Sequence, residues 1–192
     1  MLTNNLIPAL QFVSHAVATK EARYMLNGVL FKVTDSKITL AGTDGHRLAV
    51  CDITGDHELP EGEYVFPLDF IKRLIQTFKP TRTQSDTPIT LSYLDADCSV
   101  HFVTDSDQKI GQCIVGTFPE IDRVIPEAEP KEGSIGINCI YYEQAMKAAK
   151  FICNPKFGVK LTTRGESESV LFEIPSLLNI EKAKVVVMPM RL

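Results

Sequence analysis

The sequence predicts an α+β protein made of three repeated strand–helix–three-strand units, and three observations carry that prediction. Apolar residues recur at helical spacing in three separate stretches. Each stretch is followed by three short runs rich in β-branched and aromatic residues, bounded by turn residues. The same order returns about every 65 residues, which is the mark of a structural repeat.

In the first unit, Leu6, Leu10, Val13 and Val17 mark the apolar side of a helix, with Asn4 or Asn5 as its cap and Pro8 tolerated in the first turn. Strands are expected over Arg23–Val33, Lys37–Thr43 and Arg47–Ile53, the first two joined at Asp35-Ser36. The second unit opens with a strand at Glu63–Phe66. Pro67 and Asp69 then start a helix whose buried side is Phe70 or Ile71, Leu74, Ile75 and Phe78, and Pro80 ends it. Strands follow at Ile89–Tyr93, Cys98–Val103 and Lys109–Val115, with a turn at Asp95-Ala96-Asp97. The third unit has a strand at Ser134–Asn138, a helix over about Tyr141–Ile152, and strands near Phe157–Thr162, Val170–Ile174 and Lys184–Met188. The acidic, proline-containing stretch Pro126–Gly133 reads as a linker between a two-unit domain and a lone third unit. Three is an odd number for units that pair, and the first lacks an opening strand, so self-association is expected.

The 192 residues are 44% hydrophobic and 23% charged, close to the globular average and enough to bury a core. No apolar run reaches the ~18 residues that cross a bilayer. The N-terminal MLTNNLIPAL has neither a basic segment nor a cleavage site, so a cytoplasmic protein with no membrane partner is expected. Cys51, Cys98, Cys113, Cys139 and Cys153 are odd in number and never in a CxxC pair, which favours buried thiols over a disulfide framework or zinc site. A net charge of −4 counts against nucleic acid until it is divided. Residues 1–62 carry 5 basic and 7 acidic side chains, residues 63–133 carry 7 and 12, and residues 134–192 carry 8 and 5. Within the second and third helices the polar faces are basic: Lys72, Arg73, Gln76 and Lys79, then Lys147 and Lys150 beside Glu143. Solvated helix faces and phosphate-facing surfaces both fit that pattern.

Asp44-Gly45-His46-Arg47 is the densest polar cluster. A general base at His46 oriented by Asp44 lacks a marked nucleophile, and Asp44-Gly45 reads instead as a type I′ hairpin. His15, His46, His57 and His101 show no metal-binding spacing, and there is no phosphate-binding glycine loop. No enzyme, cofactor or metal is expected. The chain ends on Val185-Val186-Val187-Met188-Pro189-Met190-Arg191-Leu192. Core filling explains the valines, whereas Met188, Pro189 and Met190 suit a core and an adaptable peptide groove equally.

Four stretches, in order, resemble the bacterial DNA polymerase III β subunit, the sliding-clamp family. They are Arg23–Phe31 (RYMLNGVLF), Thr43–Cys51 (TDGHRLAVC), Gly116–Glu120 with Arg123–Pro126, and Val186–Leu192 (VVMPMRL). The resemblance implies the DNA-clamp fold, with helices on one side of antiparallel sheets. It places a complete clamp domain like the family's middle domain at residues 1–126, a linker at 127–133, and half a clamp domain like the second half of the family's C-terminal domain at 134–192. A full protomer has six units, so this chain is a shortened homologue lacking the N-terminal domain and half of the last one.

The resemblance also implies a groove for short motifs of polymerases, repair proteins and the clamp loader. The matching positions are Leu26, Thr43, Gly45, His46, Arg47, Leu48, Pro126, Val186, Val187, Met188, Pro189, Met190, Arg191 and Leu192. Apolar walls would take Leu or Phe anchors, with His46 and Arg47 as a polar rim. Helices facing duplex DNA would make Lys72, Arg73, Lys79, Lys147 and Lys150 phosphate contacts that read no sequence. The first helix has no Lys or Arg, so its unit would rely on Lys20, Arg23 and Tyr24. A ring in this family uses twelve units, which with three per chain predicts a tetramer. The alternative is a binding module that competes for clamp-binding motifs without encircling DNA.

Overall fold

Residues 5–18 are apolar almost all round, and the fold buries them on nearly every side. Helix α1 (Thr3–Ser14) has Leu6, Ile7, Ala9, Leu10, Phe12 and Val13 wholly out of solvent. The expected apolar positions are buried, but so are those opposite them, because a sheet lies beneath α1 and a helix lies on each flank. The structure is a computed structural model. It describes the chain apart from residues 1–2, 56, 79–87, 95–97, 127–134, 155, 164, 166–167, 177 and 191–192, and apart from the side chains of residues 3 and 4.

After α1, residues Tyr24–Asn27 form a 3-10 turn, followed by strands β1 (Gly28–Thr34), β2 (Lys37–Thr43) and β3 (Arg47–Thr54). The strand expected from Arg23 therefore starts five residues later. Asn27 causes the turn: its amide donates to the Glu21 carbonyl and accepts from the Glu21 N–H, which folds the segment back and buries Met25 and Leu26. The second unit runs β4 (Gly62–Pro67), α2 (Leu68–Thr77), β5 (Thr90–Leu94), β6 (Ser99–Val103) and β7 (Gln108–Gln112). Strand β7 stops short of the expected Val115 because, after Cys113 N–H donates to Cys98 O, Ile114 N–H turns to Val65 O and ties the chain to β4 instead. Helix α2 buries Phe70, Ile71 and Leu74, with Phe78 buried just beyond it, and exposes Lys72, Arg73 and Gln76, as its spacing predicts, while Ile75, also expected inside, is half-buried. Pro80, expected to end it, and the Asp95–Asp97 turn lie outside the described residues.

The third unit contains α3 (Cys139–Ala149), β8 (Lys160–Thr162), β9 (Val170–Glu173) and β10 (Ile180–Val187). Asn138 Oδ1 caps α3 by accepting from Ile140 N–H at 2.9 Å, so the helix starts two residues before Tyr141. The opening strand expected at Ser134–Asn138 is reduced, within the described residues, to one bridge between Gly136 and Met190. Strand β10 begins earlier than Lys184, across a bulge at Lys182, whose φ is +48°.

Two antiparallel sheets result. The larger has the order β4-β1-β2-β3-β10-β9-β8, so the third unit continues the sheet of the first through the β3–β10 pairing. The smaller is β5-β6-β7. All three helices lie on one face of the larger sheet, over Phe31, Leu40, Ala49, Cys51, Val185, Val187 and Phe172. Gly42 shows how closely α1 approaches: a Cβ there would stand 2.5 Å from the Val13 carbonyl oxygen. Phe102 of the small sheet packs on Phe66 and Phe70, each with centroids 5.7 Å away, and so ties the two sheets together.

Candidate peptide-binding groove

The opposite face of the large sheet carries the side chains that alternate with the core: Leu30, Ala41, Leu48, Val50, Val65, Leu171 and Val186. Among the described residues no α-helix covers it. Instead the segment after the second unit lies on it, with Phe118 and Ile121 buried against those residues. Where this segment stops short of the β3–β10 junction it leaves a cavity of about 110 Å³. Leu26 closes it from the 3-10 turn. Thr43, Gly45, Arg47 and Leu48 come from the β2–β3 connection, Val186 and Met188 from the end of β10, and Pro119, Ile121 and Val124 from the covering segment. Arg23 and Glu120 stand among the charged lining.

The β2–β3 connection is longer than the expected two-residue hairpin, since Thr43 pairs with Leu48. The Asp44 carboxylate holds it by accepting from the N–H groups of His46 (2.9 Å) and Arg47 (3.1 Å), while Thr43 Oγ1 donates to Arg47 O at 2.7 Å. Gly45 sits at φ +87°, and a Cβ there would meet the Arg23 guanidinium at 2.9 Å. The hairpin thus reserves space at the cavity mouth. Met188 N–H donates to His46 O at 2.9 Å, and Met190 N–H to Gly136 O at 2.8 Å, which fastens the C-terminal residues along the junction.

Arg47 is nearly buried and joins the first unit to the third. Its Nε lies 3.1 Å from Asp44 Oδ2, its Nη1 donates to Gln144 Oε1, and its guanidinium stands 4.6 Å over the Tyr141 ring. Exposed His46 stacks on the same ring, 6.5 Å between centroids and 20° from parallel. His15, just beyond α1, is half-buried close by, and desolvation lowers its pKa to about 4. Its Nδ1 bonds to Phe12 O. Burial therefore favours the neutral ring.

The family model described as DNA polymerase III beta subunit, central domain, matches residues 1–120. The chain belongs to the DNA polymerase III beta subunit family. The beta sliding clamp of Escherichia coli K12 is 31% identical over 160 residues, 81% of this chain and 40% of that protein. That of Chlamydia pneumoniae is 34% identical over 118 residues, 60% of this chain and 30% of the relative. The chain thus spans about 40% or less of the length of these two relatives. The Pseudomonas aeruginosa sliding clamp superposes with a TM-score of 0.81 at 19% identity, covering all of this chain and 66% of that one. The Thermotoga maritima beta subunit does so at 0.80 and 18%, covering 65% of it. At these identities the likeness shows the fold.

In this beta-subunit homologue the structure brings Leu26, Thr43, Gly45, Arg47, Leu48, Val186 and Met188 around one cavity. His46 is outside it, against Tyr141. Val187 points to the helix-side core, because successive strand residues face opposite ways. Pro126, Pro189 and Met190 do not line the cavity, though Met190 is half exposed beside its bridge to Gly136. Arg191 and Leu192 lie outside the described residues. Of the basic positions, Lys72 and Lys147 line a common cleft of about 400 Å³ over the end of α1, with His15, Gln144 and Phe151. Lys20, Arg73 and Lys150 are exposed, and Tyr24 donates its hydroxyl hydrogen to Val115 O. Arg23, expected to face DNA, lines the groove instead. Lys79 lies outside the described residues. Sequence reasoning missed Tyr141 and the wall Pro119, Ile121 and Val124. The apolar pair Phe118 and Ile121 in a proline-flanked stretch was the available signal for the wall.

Proposed function

We propose that this chain is a non-catalytic, clamp-like processivity factor of DNA replication and repair, and that the cavity receives Leu- or Phe-anchored motifs of polymerases, repair proteins and a clamp loader. One observation carries the reading: four segments separate in sequence converge on an apolar cavity at the junction of the first and third units. Such a pocket, apolar within and edged by Arg23 and Glu120, suits a short peptide with large apolar anchors. His46 and Tyr141 extend the rim as an aromatic shelf. Deleting Met188–Leu192 leaves β10 whole, so a fluorescent peptide with a Leu-Phe end should lose at least tenfold in affinity while circular dichroism is unchanged. Unaltered affinity would refute the groove.

The helix side is the proposed DNA face, with Lys72, Arg73, Lys147 and Lys150 as phosphate contacts and a closed tetramer of twelve units as the ring. Binding should fall steeply with salt. A ring held on nicked circular DNA should be released when the circle is cut. The burial of α1 favours a second reading, a non-encircling competitor for clamp-binding motifs, because the first unit offers the helix side no cation from that helix. A competitor would never be retained on the circle.

A further inference from the structure

Helix α3 and strand β8 hold the places in the third unit that α1 and β1 hold in the first, and they are covered differently. Along its outer edge β1 carries β4, the opening strand of the second unit, in register from Gly28 with Pro67 to Val33 with Gly62. Strand β8 pairs, among the described residues, with β9 alone. Helix α1 has α2 on one flank and α3 on the other. Helix α3 meets α1 through the flank that bears Gln144, Lys147 and Ala148. Its other flank carries Cys139, Tyr142 and Met146 at helical spacing. Tyr142 packs on Phe172 of β9 with ring centroids 5.9 Å apart. The β8–β9 register sets Leu161 opposite Phe172, on the same face of the sheet. Tyr142 and Leu161 are nevertheless 44% and 48% exposed. The third unit thus ends in an apolar helix flank beside an open strand edge.

We propose that this face receives the same face of a second copy of the chain, so that two third units complete a two-unit domain between chains. The chain itself supplies the precedent, since the equivalent edge and flank of its first unit are covered by another unit of the same repeat. The side chains at the centre of the patch, Cys139, Tyr142, Met146 and Leu161, are uncharged, so two copies of the same face meet without like charges opposed there. Two chains joined in this way contain six units in a row. A twelve-unit ring then needs only one further kind of contact, for which the outer edge of β7, unpaired among the described residues and with Ile110 exposed, is available.

This inference rests on the self-association in the proposed function and can fail apart from it. Sedimentation velocity on the full chain should show an assembly for the wild type. A twofold or greater loss of mass is expected for the Tyr142→Glu/Leu161→Glu double variant, with the peptide still bound. Ile110→Glu should leave a dimer. If the double variant loses its folded circular dichroism, Leu161→Lys alone gives the same reading. Wild-type mass in the folded variant, or a wild-type monomer at tens of micromolar that still binds peptide, overturns the inference and spares the groove. A dimer that ignores the peptide overturns the groove and spares the inference.

Discussion

Helix α1 is buried from Asn5 to Val13 with only Pro8 and Gln11 partly in solvent, whereas α3, its counterpart in the third unit, exposes Ile140, Tyr142, Glu143 and Lys147. The compositions follow. Helix α1 has no charged residue, and α3 carries Glu143 and Lys147 with Lys150 just beyond. One repeat therefore gives two kinds of helix according to its number of neighbours. A central unit is shaped by packing, and an outer one keeps the polar residues of a surface, with Ile140 and Tyr142 exposed among them.

The largest expected effect comes from breaking the link between the two regions. Arg47→Ala would leave Asp44 and Gln144 without their nearly buried cation and should cost about 3–5 kcal/mol. Denaturant unfolding followed in both units should show the third melting first. A single unchanged transition would mean that the β3–β10 pairing alone couples them.

Acid should act on the first unit next. The pKa of His15 in the folded chain, about 4, lies below its ordinary 6.5, so the neutral ring is favoured by folding. Stability from this group is complete above pH 6.5 and is lost as pH falls towards 4, because the unfolded chain takes up a proton that the folded one resists. The full loss should be roughly 3 kcal/mol, at 1.36 kcal/mol per unit. Denaturant midpoints at pH 7 and pH 4.5 should converge in a His15→Gln variant.

Glycines give a finer contrast. Gly42→Ala in the first unit would push a methyl group into the Val13 carbonyl and should cost about 1–3 kcal/mol. Gly158→Ala in the third unit meets nothing within 4 Å and should change stability by less than about 0.5 kcal/mol. Equal thermal shifts would contradict the difference in coverage. Thiols should show the smallest effect. Burial pushes the Cys51 pKa up, and Cys139 is exposed, so iodoacetamide should label Cys139 well before Cys51 in the folded chain.

Much of the fold was legible because local rules wrote it. The spacing of Phe70, Ile71, Leu74 and Phe78 gave α2 its buried side, and the alternation of β1 to β3 gave the sheet. The turn at Tyr24–Asn27 was not legible, since its cause is a side-chain bond from Asn27 to Glu21 that competes with strand pairing. In the groove, the glycine hairpin and the C-terminal methionines could be read as a resemblance. The wall from Pro119 to Val124 fell within or beside the resembling stretches Gly116–Glu120 and Arg123–Pro126 but was not legible as a wall, because its residues have no periodicity and line a cavity only by lying across a distant sheet. Arg47 looked like a rim residue, and only its partners on α3 make it a joint.

The sequence by itself determined the three units, their order and the family, because hydrophobic period and turn chemistry act over a few residues. Tertiary structure decided which unit is central. Helical spacing states that α1 has an apolar side, but its second and third buried sides exist because α2 and α3 flank it. Neither neighbour is within hydrogen-bonding reach along the chain. Likewise the face of Val186 that borders the cavity, and the face of Val187 that does not, follow from a one-residue choice of register between β10 and β3. Register is fixed by what each face must bury, and burial is a property of the assembled sheet.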